Sequence, residues 1–478
     1  MMNNYPNGKL VLSLLIIFCS LHVFAQKAGK KVYSLEQCVD VALNNNFALL
    51  QNKERVMQSR ENLLQAQSSH LPALNGNGNY AYNFGRRIDP FTNQFAESRV
   101  LSQNYSLSSN VNLFNGFAAV NNTKAAMSDL KANQKGFERF SNDIALNIAE
   151  NFLQVLINEE LNEFNEKFLV TSREQTERTK KLFEAGRIPR GELLQAEAQL
   201  ANDELTAIQS RNALSLAYLN LAHSMGLQDA EDFIVARPDF SSQAIEMISN
   251  NARMIYEKAL EGQPSIKQAE MQLQSANYFY KAAKGRRSPQ LTMFGAIGTG
   301  YSELARRQIG STTTTQFIGS IQGQDIFIDV PTPIFEQTPF RDQLDQNFNR
   351  TFGFTLSIPI FNALQTRNAI SSARMNREIA RYQLELEKQQ LQRQVFTAYY
   401  EARAAYERYQ FSEKLEKANK ESYDYFQQRF DVGIVNAVEL ALARNQMQRA
   451  ATDLIVAKYQ FIMRTKVLDF YLGKPLTF

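Results

Sequence analysis

Two short stretches decide the fold of this chain: Leu113-Phe114-Asn115-Gly116, and Ile360-Phe361-Asn362-Ala363, which lies 247 positions later. The same offset pairs further positions without any insertion: Gly186 with Gly433, and Glu192 with Glu439. Self-similarity at a fixed offset is the signature of an internal repeat. The chain is therefore predicted to be a tandem duplication of one unit.

The second copy of the unit is longer than the first. Earlier in each half the offset is 217, and it pairs Leu71-Pro72 with Ser288-Pro289. The change in offset places an insertion between residues 289 and 360, within the segment 302–349. That segment contains a threonine run and three prolines: Pro331, Pro333 and Pro339. Because prolines and short polar residues punctuate regular structure, we expect a long exposed loop here.

Two proline-free stretches, 117–184 and 363–431, occupy equivalent places in the two copies. In the first, apolar residues recur at helical spacing: Phe137, Phe140, Ile144, Ile148, Phe152 and Val155. At 1.5 Å per residue each helix would be roughly 100 Å long. A dimeric coiled coil would have a more regular apolar stripe. The many Ala, Asn and Gln positions favour a helix that touches two neighbours in the wall of a helical barrel.

Four segments alternate between apolar and polar residues, as strands do: about 73–84, 104–114, 290–301 and 351–361. Each is about ten residues long, which is the length that a tilted strand needs to cross a bilayer. The apolar faces are predicted to contact lipid and include Tyr80, Tyr82, Leu107, Val111, Leu291, Met293, Phe354 and Leu356. The opposite faces are rich in Asn and Ser rather than in charged residues, which suits a water-filled lumen.

Membrane insertion of such strands requires partners. After residue 25 the chain has no run of 18 apolar residues, so a membrane-spanning portion would have to be a closed β-barrel. Four strands cannot close a barrel, and an open sheet edge would leave backbone groups unpaired in lipid. We therefore expect the chain to oligomerise. Two, three or four subunits would give eight, twelve or sixteen strands, and the strand count does not choose between them.

The N-terminal segment and the composition indicate export from the cytoplasm and argue against nucleic-acid binding. Residues 1–25 are predicted to be a secretory signal peptide, with Lys9, an apolar core at 10–18 and the cleavage site Val23-Phe24-Ala25. The two copies would then occupy 26–240 and 241–478. A net charge of +4 is too balanced to indicate nucleic-acid binding. Cys38 is the only cysteine after the signal and is predicted to be a small core residue.

The sequence predicts no enzyme activity, no cofactor and no metal site. The three histidines, His22, His70 and His223, are too scattered to form a metal cluster. Neither a glycine-rich phosphate loop nor a nucleophile elbow is present in the sequence.

Two turn motifs follow the predicted long helices: AGRIPRGELLQA at 185–196 and VGIVNAVELALA at 432–443. Together with the tandem repeat, they make the chain similar to the TolC-like outer-membrane efflux proteins, and the resemblance covers essentially the whole chain after the signal. The resemblance implies a mainly α protein with a transmembrane β-barrel portion. The expected assembly is a homotrimer, with a 12-stranded β-barrel on a 12-helix periplasmic α-barrel.

The resemblance also implies a location, a function and partners. The protein would lie in the Gram-negative outer membrane and extend into the periplasm. There it would serve as the passive exit duct of a tripartite efflux or type I secretion system. Its partners would be outer-membrane lipid, a periplasmic adaptor (membrane fusion protein) and, through the adaptor, an inner-membrane pump. The alternative from another class is a structural coiled-coil protein of the cell envelope without pore activity.

The turn motifs carry the expected functional residues. By resemblance, the adaptor would dock on Ala185, Gly186, Arg187, Val432, Gly433 and Ile434, and the pore would be constricted by Glu192, Gln195 and Glu439. From the residues alone, Gly186 and Gly433 are natural left-handed caps for the ends of the long helices. Glu192 and Glu439 fall in the first turn of the returning helices, where the helix dipole favours an anion. The alternative for both glutamates is a solvated position at a helix start.

The chain departs from the family pattern at the second turn. Leu442 stands where a second acidic residue is often found, and Val435 stands where a basic residue often latches a closed mouth. Arg187 and Arg190 are therefore the candidates for holding the mouth closed.

Overall fold

The computed structural model describes residues 31–89, 91–93, 95, 96, 99–227, 233–238 and 251–474, so the predicted signal peptide lies outside the described residues. The helices are α1 (Leu35–Asn45), α2 (Phe47–Ser68), α3 (Ala118–Glu184), α4 (Arg190–Ser224), α5 (Ala252–Gly262), α6 (Pro264–Gly285), α7 (Phe340–Gln346), α8 (Gln365–Asp431) and α9 (Ala437–Tyr471). The strands are β1 (Lys31–Tyr33), β2 (Ala73–Asn83), β3 (Arg87–Ile88), β4 (Phe95–Ala96), β5 (Val100–Phe114), β6 (Phe233–Val235), β7 (Gln290–Ser302), β8 (Arg306–Ile321), β9 (Gln324–Gln337) and β10 (Asn349–Ser357).

The duplication is visible in the order and the lengths of the elements. In each half two shorter helices precede the first strand of the four-stranded sheet, which is β2 or β7. The second sheet strand of the half, β5 or β10, leads into a helix of 67 residues. A tight turn then leads into a returning helix of 35 residues in both halves. The prediction of a mainly helical, duplicated chain with two very long helices and antiparallel strands is confirmed.

The chain divides into two compact units that both draw on each half of the sequence. The first unit comprises Met1–Met57, Ala132–Glu270 and Gln383–Phe478, and the second comprises Gln58–Lys131 and Met271–Tyr382. Each of the two long helices contributes residues to both units.

The first unit is held by an apolar core between helices of both halves. Its most buried members come from the middle of α3 and the end of α4, and include Ile148, Phe152, Leu156, Leu221 and Met225. The short parallel pair β1 and β6 adds further apolar side chains to this core. Removing this apolar surface from water is the main favourable term in folding the unit.

The second unit contains a four-stranded antiparallel sheet in the order β10-β7-β5-β2. Its register places Tyr82 opposite Leu101, Leu107 opposite Ile297, and Leu356 opposite Leu291. Because residues that face one another across strands lie on the same side of a sheet, the apolar rows of the four strands form one continuous face. This face holds all eight of the residues that the sequence predicts to contact lipid: Tyr80, Tyr82, Leu107, Val111, Leu291, Met293, Phe354 and Leu356.

The expectation of a long exposed loop at 302–349 was wrong. Strands β8 and β9 form a long antiparallel hairpin there, and α7 follows it. The threonine run at 312–315 is β-branched and therefore favours a strand. Pro331 and Pro333 lie on β9, which has only β8 as a ladder partner and can accommodate prolines at its outer edge.

Helix α7 covers an edge of the sheet that β10 does not reach. The pairing of β10 with β7 begins at Gly298, so the last residues of β7 have no neighbour strand on that side. There the Ser302 N–H donates to Gln343 Oε1 at 2.9 Å, and Asn347 Nδ2 donates to the Gly300 carbonyl at 2.8 Å. Side chains thus replace the missing ladder bonds of this edge.

The fourth strand is shorter than its pattern indicates. Alternation continues to about residue 361, but β10 ends at Ser357. Pro359 has no N–H to donate to a neighbouring strand, so the ladder stops just before it.

The burial of Cys38 makes its thiol a reporter of folding. Cys38 is fully buried in α1, and burial raises the pKa of its thiol to about 12. Because the thiolate is the reactive form, we expect maleimide labelling at pH 8 to be on the order of 1000-fold slower than that of an exposed thiol. Labelling should reach completion in denaturant. The measurement uses the protein without its signal peptide, in which Cys38 is the only cysteine, with an additional Ser69→Cys variant as the exposed control. Equal labelling rates for the two thiols in native protein would contradict the described burial.

Candidate functional site

The two turns that close the long helices have the same backbone structure. After α3, the Gly186 N–H donates to the Phe183 carbonyl at 2.8 Å, and the Arg187 N–H donates to the Leu182 carbonyl at 2.9 Å. This paired pattern is the Schellman motif, which requires a left-handed residue, and φ of Gly186 is +68°. Gly433 repeats the motif after α8 with φ of +77°. The predicted role of both glycines as helix caps is confirmed.

The two returning helices begin differently, although each has a glutamate in its first turn. At the start of α9, Asn436 and Glu439 form a capping box. The Glu439 N–H donates to Asn436 Oδ1 at 2.9 Å, and the Asn436 N–H donates to Glu439 Oε2 at 3.1 Å. At the start of α4 the cap residue is Pro189, which offers no side-chain hydrogen bond. Glu439 is therefore partly committed to its own helix, whereas Glu192 makes no side-chain hydrogen bond or ion pair within the described part of the chain.

A cavity of about 1010 Å³ lies between the two turn regions of the first unit. Its lining includes all three residues that the sequence predicts to constrict a pore: Glu192, Gln195 and Glu439. The remaining lining combines threonine, glutamine and charged side chains with apolar ones, from the ends of α3 and α8 and the starts of α4 and α9. The structure thus brings residues from both halves of the sequence to one cavity.

A buried ion pair crosses beside this cavity and joins α4 to α9. Arg444 Nη2 lies 2.8 Å from Asp203 Oδ2, and the two side chains are only 13% and 4% exposed. Gln199 Nε2 donates to the other carboxylate oxygen at 3.1 Å. The Arg444 guanidinium also lies 5.0 Å from the centre of the Phe168 ring. The pair is thus a buried, hydrogen-bonded charge contact between the two returning helices.

Sequence reasoning missed Asp203 and Arg444, although the repeat contains a signal for them. At the offset of 247, Asp203 aligns with Ala450, which is buried in α9 between Ala443 and Ala457. A carboxylate that replaces a buried alanine in one copy needs a partner nearby. Arg187 and Arg190 are both exposed and form no ion pair among the described residues. Among the described residues, the ion pair that joins the two returning helices is Asp203–Arg444.

Tyr423 lies at the same cavity and is bonded within its own helix. Its hydroxyl donates to Gln427 Oε1 at 3.2 Å. Burial raises the pKa of the Tyr423 phenol, and the nearby Arg444 charge partly opposes this rise. The phenol is therefore a neutral hydrogen-bonding group at physiological pH.

All six predicted docking residues are exposed: Ala185, Gly186, Arg187, Val432, Gly433 and Ile434. Around the second turn the exposed surface is apolar, since Val432, Ile434, Val438 and Leu442 are each at least 60% exposed. Such a concentration of exposed aliphatic side chains at a helical tip is typical of a protein-binding surface.

The described residues were also compared with the requirements of a metal site and of a membrane-spanning helix. They contain no group of three or more His, Cys, Asp or Glu side chains that could hold a metal ion. Each of the described helices is too short or too polar to cross a lipid bilayer.

Known proteins share this architecture. The solved structure of CusC matches with a TM-score of 0.75 at 15% identity, covering 95% of this chain and 96% of CusC. VceC from Vibrio cholerae matches with a TM-score of 0.72 at 14% identity, covering 92% of this chain and 96% of VceC. CmeC from Campylobacter jejuni matches with a TM-score of 0.68 at 17% identity, covering 99% of this chain and 93% of CmeC. At these identities the likeness establishes the fold.

Family membership rests on the sequence. A comparison with curated protein sequences found no match. The model of the family described as outer membrane efflux protein matches residues 38–227 and 255–474, which together make up most of the chain. Each of the two matched ranges lies within one copy of the duplicated unit. The chain belongs to the outer membrane efflux protein family, whose members are transport proteins of the outer membrane and not enzymes.

Proposed function

We propose that this outer-membrane efflux channel is the passive exit duct of a tripartite efflux or type I secretion system. The observation that carries the proposal is the sheet with one continuous apolar face, joined in sequence to two helices of 67 residues. Such a chain can present its strands to lipid and its helices to the periplasm. Among its structural relatives, CmeC is an outer membrane channel, and the CusC structures concern transmembrane channel formation.

The proposed assembly is a homotrimer in which each chain contributes two repeats, at 26–240 and 241–478, after removal of the signal peptide at 1–25. In the sheet, β2 and β10 are the outer strands. In lipid their free edges would leave backbone groups unpaired, at a cost of several kcal/mol for each group. Pairing β10 of one subunit with β2 of the next satisfies these groups. Three subunits then form a 12-stranded β-barrel above a 12-helix α-barrel, which is the assembly that the family resemblance implies.

The proposed constriction is the cavity at the turns, with Glu192, Gln195 and Glu439 lining it. In a trimer the two glutamates would supply six carboxylates, and such a ring favours cations over anions. The capping box distinguishes the two glutamates. Because Glu439 already accepts a backbone hydrogen bond, Glu192 is expected to contribute more to ion selectivity.

The Asp203–Arg444 pair is proposed to hold the closed arrangement of the two helical hairpins. It links the returning helix of the first hairpin to that of the second. Opening the mouth by separating these helices would leave two buried charges without partners unless water entered. The pair therefore favours the arrangement in which the hairpins remain together.

The proposed partner of the turns is a periplasmic adaptor, which connects the channel to an inner-membrane pump. The exposed aliphatic side chains around Gly433, namely Val432, Ile434, Val438 and Leu442, are the expected contact surface. An adaptor that covers them would remove apolar surface from water, which is the usual main term in protein association.

Channel activity is tested by single-channel recording of the purified trimer in planar bilayers. We expect stable ohmic openings, with cations preferred in a salt gradient. Folded trimers that insert and yet do not conduct would overturn the proposed function and favour a structural role.

Charge removal at the constriction should change ion selectivity to different extents at the two glutamates. Glu192→Gln is expected to lower the cation-to-anion permeability ratio about two- to threefold, because it removes three carboxylates from a narrow ring. Glu439→Gln should have a smaller effect, and it preserves the cap because glutamine also serves in a capping box. Reversal potentials in a salt gradient measure both effects, with Glu174→Gln on α3 as the control. Unchanged potentials in the double variant would exclude both residues from the pore lining.

Breaking the buried ion pair should destabilise the protein and open the channel. Asp203→Asn or Arg444→Gln alone is expected to cost about 3–5 kcal/mol, because each leaves a buried charge without its partner. Both should raise the open probability in bilayer recordings. The control is Arg173→Gln, which breaks the exposed pair with Glu204 and is expected to cost about 1 kcal/mol or less. Equal thermal stability of the buried-pair and exposed-pair variants would rule out the proposed role.

Bulk at the second turn should impair adaptor binding more than assembly. A Cβ at Gly433 would meet no atom within 4 Å, so Gly433→Leu introduces backbone strain and a protruding side chain without an internal clash. We expect the Gly433→Leu variant to form trimers in the same yield as the wild-type protein but no longer to co-purify with the adaptor. Gly433→Ala separates strain from bulk, since it is expected to keep most binding, and Gly262→Leu controls for an exposed leucine elsewhere. Parallel loss of trimer and adaptor in Gly433→Leu would argue against a docking role.

A further inference from the structure

One arginine stands on the apolar face of the sheet. Arg350 is the only charged residue in the four strands β2, β5, β7 and β10. It lies opposite Ile297 in the register and therefore shares the apolar face with Phe352 and Phe354. Its guanidinium lies 5.0 Å from the centre of the Phe348 ring, so the charge is seated on an aromatic side chain.

A second arginine has the same arrangement at the other edge of the sheet. Arg99 directly precedes β5, and its guanidinium lies 4.8 Å from the centre of the Tyr82 ring. Tyr82 belongs to the apolar face of β2, and its ring packs edge-on against Tyr80 at 5.7 Å. Each arginine thus lies over an aromatic ring, Phe348 for Arg350 and Tyr82 for Arg99, at one end of the face that is predicted to contact lipid.

Neither arginine is neutralised by the protein among the described residues. The nearby Glu303 accepts the Leu101 N–H at 3.1 Å, and Asp342 is paired with Arg307 at 2.9 Å. Within the described part of the chain, Arg99 and Arg350 form no ion pair. An exposed cation at the boundary of an apolar face needs an anion from outside the chain or contact with water.

The strand directions place both arginines at one end of the sheet. Since neighbouring strands are antiparallel, the end of β2, the start of β5 and the start of β10 share that end. The long helices leave from the opposite end, after Phe114 and Ser357. If the helices extend into the periplasm, the arginines face the outer leaflet.

We propose that Arg99 and Arg350 bind the phosphate groups of lipid A in the outer leaflet, at the seams between subunits. The proposal rests on the trimeric barrel of the proposed function, because only closure brings β10 of one subunit beside β2 of the next. Arginine forms paired, charge-assisted hydrogen bonds with phosphate. The aromatic rings that carry the arginines would pack against the sugar and the first acyl carbons, at the level where aromatic girdles lie. A lipid at each seam would contact two subunits and stabilise the trimer.

The test uses the purified trimer in detergent with three lipid probes: bisphosphorylated lipid A, the same lipid A after phosphatase treatment, and phosphatidylglycerol. Native mass spectrometry measures binding, and thermal dissociation measures trimer stability. We expect the wild-type trimer to bind bisphosphorylated lipid A about tenfold more tightly than either other lipid, a difference of about 1.4 kcal/mol. Bisphosphorylated lipid A alone should raise the dissociation temperature.

Variants assign the effect to the two arginines. Arg99→Gln with Arg350→Gln should lose the preference for phosphorylated lipid A, whereas the matching double Lys variant should keep part of it. Arg60→Gln on α2 is the control for an exposed arginine elsewhere. Equal binding of phosphorylated and dephosphorylated lipid A, or equal binding of phosphatidylglycerol through the same arginines, would overturn the inference.

Failure of this inference can be told apart from failure of the proposed function. A trimer that conducts normally but shows no dependence on lipid A phosphate removes only the lipid site. A protein that remains monomeric and does not conduct removes the seam, and with it both proposals.

Discussion

The constraint on which the rest of the structure depends is the requirement that backbone N–H and C=O groups be paired where water is absent. The inner strands β5 and β7 form backbone hydrogen bonds with a neighbouring strand on each side. Where β7 extends beyond β10, side chains of α7 and of Asn347 supply the hydrogen-bond partners. The outer edges of β2 and β10 have no such cover in the described chain. A sheet with one continuous apolar face and two open edges is stable in lipid only when copies of the chain complete one another. The proposed oligomerisation would thus be a consequence of hydrogen bonding as much as of apolar contact.

Duplication explains the equal lengths of the long helices, but the two copies differ at the starts of their returning helices. Both turns need the same left-handed glycine, so Gly186 and Gly433 are structurally equivalent. The helix starts differ, because a capping box engages Glu439 while a proline at the same place leaves Glu192 uncommitted. Asp203 likewise has an alanine as its counterpart. In the proposed trimer, the ring of six glutamates would alternate between Glu192 and Glu439. Its six positions would therefore not be chemically equivalent.

Patterns that repeat over many residues could be predicted from the sequence. The long helices, the strands and the shared apolar face all follow from periodicity, which sums weak preferences over many positions. The hairpin β8–β9 could not be recognised, because its prolines indicate a loop unless the strand is known to lie at an edge. The Asp203–Arg444 pair was missed for a different reason. Its two members are 241 positions apart, and only packing of α4 against α9 brings their charges together.

The distribution of charge along the chain bears on where selection of cargo takes place. The strands of the sheet contain a single charged residue, Arg350, and it lies on the apolar face. The opposite face presents asparagine, serine and threonine, which hydrogen-bond to solutes of either sign and exclude neither. The turns, in contrast, concentrate Glu192, Glu439, Asp431 and Arg444 around one cavity. A solute that crosses the whole channel would therefore meet its main electrostatic barrier at the turns, at the end where an adaptor would bind. Coupling the barrier to the docking surface in this way would let a partner control passage without any change in the strands.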